Sequence, residues 1–104
     1  MPLKNADGFN QPFQELVTEY CRGAQRSRDE LPRKTRSMLN LAMISILNRP
    51  HELKAHIKGA LTNGVSRDEI REIFMQVSIY AGIPAGVDSF RIAREVFAEI
   101  DGKA

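Results

Sequence analysis

Glu52-Leu53-Lys54-Ala55-His56-Ile57-Lys58-Gly59-Ala60-Leu61-Thr62-Asn63-Gly64 is the stretch that decides the fold class of this chain. A helix turns about 100° per residue, so positions i, i+3 and i+4 share a face. Leu53, Ile57, Ala60 and Leu61 form one such stripe, and Gly64 can take the left-handed conformation that stops a helix. His56 falls at the edge of the stripe. Glu52 lies one turn before it, so a carboxylate and an imidazole become neighbours. Spacing leaves two readings of that pair. One is a histidine satisfied by Glu52 or a backbone carbonyl, or half of a solvated surface pair. The other is a histidine tuned by its carboxylate to act as a general acid or base near neutral pH.

Outward from this helix every periodic segment is helical. Asn48-Arg49-Pro50 separates it from a segment opened by Pro32, which is apolar almost all round from Met38 to Leu47. A helix of that kind belongs in the middle of a core or in a subunit interface. Nearer the N-terminus, Phe13, Leu16, Val17 and Tyr20 follow helical spacing behind Pro12, and Gly23 can end that helix. On the other side, Ser66-Arg67-Asp68-Glu69 is a capping box, with Val65 and Ile70 placed to form its hydrophobic staple. That helix should turn Ile70, Ile73, Phe74 and Val77 inward and end near Tyr80-Ala81-Gly82. Pro84 starts the last helix, with Val87, Phe90, Ala93, Phe97 and Ile100 expected inward and Asp101-Gly102 closing it. No β-type alternation competes, so the expectation is an all-α fold of about five to six helices in a single domain over residues 1–104.

Composition narrows the function classes. The chain has 104 residues, 42% of them hydrophobic. That suits one core but leaves little room for an enclosed site, so a site shared between subunits is expected. Fifteen Lys plus Arg against thirteen Asp plus Glu give a formal charge of +2, too slight to indicate nucleic-acid or membrane binding. Small anionic molecules remain open. The first residues lack the apolar run of a signal peptide and no stretch approaches a membrane span, so a cytoplasmic protein is expected. Cys21 is the only cysteine, which excludes an internal disulfide and any CxxC arrangement. His51 and His56 point to different helix faces, so no metal site is expected.

Arginine placement is the second chemical clue. Arg26, Arg28, Arg33 and Arg36 precede or enter the apolar helix, and Arg36 begins its buried section. A guanidinium there can present a forked donor to a carboxylate. The alternative is a solvated basic turn pairing with Asp29 and Glu30. Tyr80, before the Gly-Ile-Pro-Ala corner, either reaches a pocket with its phenol or packs at a helix end with its hydroxyl in water.

Thr35-Arg36-Ser37-Met38-Leu39-Asn40-Leu41-Ala42, Glu52-Leu53-Lys54-Ala55-His56, Gly59-Ala60-Leu61-Thr62-Asn63-Gly64-Val65-Ser66, Glu69-Ile70-Arg71-Glu72 and Tyr80-Ala81-Gly82-Ile83-Pro84-Ala85 occur in this order. Together they resemble the carboxymuconolactone decarboxylase family. The resemblance implies an all-helical fold shared with the alkylhydroperoxidase AhpD group, assembled as a ring-shaped homo-oligomer, commonly a hexamer. It implies a cofactor-free decarboxylation of 4-carboxymuconolactone to the 3-oxoadipate enol-lactone in aromatic catabolism. His56 and Glu52 would then be catalytic, with Arg36, Arg28 and Tyr80 on the substrate. The thiol peroxidase branch of the superfamily carries C-x-x-C-x-x-x-H, and aligning its histidine with His56 puts Arg49 and Glu52 at the cysteine positions. That points away from thiol chemistry. Two further readings fit the same scaffold: another enzyme of the group, peroxidase-like or isomerase-like, or a non-catalytic oligomeric binding protein.

Overall fold

Five helices account for the architecture, and no strand occurs among the described residues, which are 8–19 and 28–103 of a computed structural model. The chain divides into two units, residues 1–32 and 33–104. In the first unit α1 spans Gln11–Leu16, with Pro12 in its first turn, and continues as a wider turn over 17–19. None of its residues is buried. Tyr20, Cys21, Gly23 and the 24–27 connection lie outside the described residues. Arg28 is exposed and pairs with Glu30 at 3.1 Å, the solvated pairing that the arginine-rich turn allowed.

The second unit holds α2 (Arg33–Leu47), α3 (Pro50–Thr62), α4 (Arg67–Ala81) and α5 (Ile83–Ile100). Helix α2 packs against the other three, α3 also meets α5, and α4 meets α5. Their shared core is Leu41, Leu53, Ile57, Ala60, Val65, Ile70, Phe74, Ile92, Ala93 and Val96. The boundaries follow local chemistry. Asn48 sits at φ 58° between α2 and α3, a conformation asparagine tolerates better than most residues. Gly64 takes φ +95° after α3, and the Val65 N–H reaches back to the Ala60 carbonyl at 2.9 Å, so orphan carbonyls of the last turn are satisfied.

The capping box closes as its sequence requires. Glu69 N–H donates to Ser66 Oγ at 3.0 Å, and Ser66 N–H donates to Glu69 Oε1 at 2.9 Å. Val65 and Ile70 are both buried. Inward residues of α4 are Ile70, Phe74 and Val77, with Ile73 half-buried. Helix α5 differs from its expected stripe: Val87 is 61% and Ile100 51% exposed, whereas Gly86, Ser89, Ile92, Ala93 and Val96 face inward. Small residues at 86 and 89 let α5 lie close to α4, while Phe90 and Phe97 pack half-buried against the core as expected. A Cβ built on Gly86 would stand 1.8 Å from Ser78 Oγ and 2.8 Å from Ser78 Cβ. Gly86→Ala should therefore destabilise by about 1–3 kcal/mol through overpacking. Urea midpoints should show part of that loss recovered in Gly86→Ala/Ser78→Gly, and an unchanged midpoint for the single variant would refute the close-packing account.

Ion pairs tie the helices at their ends. Lys34 meets Glu69 at 3.1 Å, Lys54 and Lys58 both meet Glu99, and Arg67 forks onto Asp101 at 2.7 and 3.0 Å while stacking 4.6 Å above Phe97. The Glu69 carboxyl is held below its ordinary value by the Ser66 backbone N–H and then by Lys34. Glu99 is lowered by Lys54 and Lys58, and Asp101 by Arg67. Because folding depresses these pKa values, their contribution is full above the unfolded carboxylate range and is lost as pH falls through the folded values. The melting temperature is expected to drop as pH is lowered below about 4, and Asp101→Asn should flatten that dependence.

Candidate active site

Helical register places the titratable stripe of α3 against α2. Asn63, just past α3, donates from Nδ2 to Ser37 Oγ of α2 at 2.9 Å. Lys54 and Lys58 reach the other way, to Glu99 of α5. His56 and Glu52 lie seven and eleven residues before Asn63, which on a 3.6-residue helix returns them to nearly the same side. They therefore occupy the α2-facing flank of α3. His56 is half-buried and Glu52 is exposed in the first turn. The Glu52 carboxylate makes no hydrogen bond or ion pair among the described residues, so the contact that the i,i+4 spacing permits is not closed here. At an exposed helix surface such a pair is worth a few tenths of a kcal/mol, roughly what ordering the two side chains costs.

On α2, the flank turned to α3 carries Ser37, Asn40 and Ile44, with the half-buried Arg36 one turn before Asn40. The two helices run antiparallel across the Asn48-Arg49 turn. Counting from the Ser37–Asn63 bond, Ile44 stands level with His56, and Asn40 stands one turn nearer the open end. Asn40 is half-buried, and its carboxamide has no hydrogen bond among the described residues. The sequence did hold a signal for it: a lone carboxamide in an otherwise apolar run, set one turn after an arginine.

The opposite flank of α2 is different in kind. A groove of about 650 Å³ runs between α2 and α4, with Met38, Leu39, Ala42 and Ile46 on one side and Ile73, Val77 and Tyr80 on the other. Asp68, Glu69 and Glu72 border it. Tyr80, 80% exposed, belongs to this groove, whereas Glu52, His56 and Arg36 do not. A small anion gains little from an apolar floor with an acidic edge, so this groove is not where the anion-binding side chains gather. The expected burial of Met38 to Leu47 is realised only in part: Leu41 and Ser45 are buried, but Leu39, Met43, Ile46 and Leu47 are 48–66% exposed. Within one chain the helix has an inward face for one side only.

Among the described residues no three His, Cys, Asp or Glu side chains gather as a metal site, and no helix is long and apolar enough to cross a membrane. The chain is 39% identical to a 4-carboxymuconolactone decarboxylase of Acinetobacter baylyi over 98 residues, 94% of this chain and 73% of that protein. It is 36% identical to a nitrosuccinic acid decarboxylase of Metarhizium robertsii over 101 residues, 97% of this chain and 71% of that protein. These likenesses, on an all-helical architecture, define an enzyme of the carboxy-lyase class. Residues 11–95 match the model of the carboxymuconolactone decarboxylase family, and the chain belongs to that family.

Proposed function

We propose that this protein is a cofactor-independent decarboxylase of a small carboxylated lactone, converting 4-carboxymuconolactone to the 3-oxoadipate enol-lactone in aromatic catabolism. The observation that carries the reading is likeness over nearly the whole chain to two proteins named as decarboxylases. Their named substrates have a common chemical logic: a carboxylate placed where its electron pair can flow, on loss of CO2, into a neighbouring electron sink. In the lactone the sink is the conjugated ring carbonyl. The C–C bond breaks, the pair moves through the ring double bond onto the carbonyl oxygen, and the resulting dienolate is quenched by a proton at ring carbon.

His56 supplies that proton, and Glu52, one turn away, holds the imidazole once substrate has displaced water. Arg36 grips the carboxylate that stays, because an arginine clasping the departing one would stabilise the ground state and slow the reaction. Arg28 and Tyr80 are further substrate-binding residues. Tyr80 lies on the α2/α4 groove rather than on the His56 flank, so its role requires a neighbouring subunit to bring it there. The exposed apolar face of α2 and that groove support assembly into a ring-shaped homo-oligomer, a hexamer in the form the family resemblance implies, acting in the cytoplasm without metal or organic cofactor. Ultraviolet monitoring of purified protein with 4-carboxymuconolactone tests the reading. Loss of the lactone's absorbance with stoichiometric CO2 is the expected result, and no turnover would overturn it.

A further inference from the structure

We propose that the Asn40 carboxamide is the catalytic donor to the lactone carbonyl oxygen, leaving His56 to deliver the proton to carbon; the inference rests on the decarboxylase reading above. The reaction needs two separate polar contacts. Negative charge gathers on the carbonyl oxygen as CO2 leaves, and the proton is then taken up by a ring carbon. An imidazole N–H aimed at the oxygen is not aimed at the carbon. If the imidazole instead protonates the carbon, the oxygen needs another donor, and a neutral amide N–H₂ can fill that role without competing as an acid.

Asn40 meets the requirements by position. It lies on the α3-facing flank of α2, set by the Ser37–Asn63 bond, one helical turn of about 5 Å along from the level of His56. Its side chain is half-buried and has no hydrogen bond among the described residues, so no structural partner must be given up when a ligand arrives. Opposite it, α3 carries Gly59 on the same flank, where a built Cβ has nothing within 4 Å. A side-chain-free position there leaves room beside the amide. Arg36, four residues before Asn40, shares this flank of α2 and is placed to hold the remaining carboxylate.

Steady-state kinetics on wild type, Asn40→Ala and Asn40→Asp test the assignment, with His56→Ala alongside. Loss of an oxyanion donor should lower kcat by about 10²–10³-fold, with KM changed by less than about threefold because the contact forms in the transition state. Asn40→Asp keeps the shape but offers a carboxylate to a developing oxyanion, so it should be at least as slow. In Asn40→Ala, which removes no titrating group, the melting temperature and the pH profile of the residual activity should stay those of wild type, which a merely structural defect would not allow. If Asn40→Ala fails to fold, the near-isosteric Asn40→Asp carries the test. Wild-type-like kcat in either folded variant overturns the role of Asn40 while the decarboxylase reading stands. Absence of turnover in wild type overturns both.

Discussion

His56→Ala is expected to reduce kcat on 4-carboxymuconolactone by about 10²–10⁴-fold, the range over which a positioned proton donor contributes. Stability should change little, because His56 is half-buried at the edge of the stripe and the core beneath it is made by Leu53, Ile57 and Ala60. That separation makes the experiment informative: lost turnover in a folded, normally assembled protein isolates the chemistry. Glu52→Gln should fall between the variant and wild type, since the carboxylate acts through the imidazole, and it should shift the pH profile of kcat. Unchanged turnover in His56→Ala would remove the histidine from the mechanism.

Phe74→Ala should have the largest effect on stability, about 3–5 kcal/mol. Phe74 is 0% exposed in the shared core and meets Phe90 edge to face, with ring centroids 6.0 Å apart and planes at 76°. Truncation removes the buried ring and leaves a cavity between α4 and α5 that the ion pair at their far ends, Arg67 to Asp101, cannot close. Against a total stability of order 5–15 kcal/mol for a domain, that is a large fraction. Denaturant midpoints at one fixed protein concentration are the measurement, since assembly contributes to apparent stability. A shift corresponding to less than about 1 kcal/mol would mean that the α4/α5 seam repacks freely, contrary to the density of protein interiors.

Both predictions rest on features of different legibility. The stripe through Leu53, Ile57 and Ala60, the Ser66 capping box and the stop at Asn63-Gly64 are local devices, written within a few neighbouring residues, and the helices follow them. On α5 periodicity finds Ala93, Phe90 and Phe97 at the core but also counts the exposed Val87 and Ile100 and passes over Gly86 and Ser89, because it weighs large apolar side chains. The real contact is set by Gly86 and Ser89, whose smallness matters only when another helix arrives. Likewise the apolar run from Met38 to Leu47 signals that its faces want cover, yet only packing shows that Leu41 is covered within the chain and Leu39, Ile46 and Leu47 are not.

The candidate site divides along the same line. Glu52 and His56 as neighbours, and Arg36 at the head of the apolar helix, follow from i,i+4 arithmetic and chemical type. That the pair faces α2 rather than α5, that Tyr80 belongs to a different groove, and that Asn40 stands one turn from the level of His56 are consequences of register between helices distant in sequence.

By itself the sequence determined an all-helical chain, its helix boundaries and the family to which it belongs, because helix caps, breakers and stripes act over one or two turns. Which flank meets which was decided by the tertiary structure alone, since that depends on side-chain volumes meeting across a gap and on contacts such as Ser37 with Asn63 that no local pattern encodes.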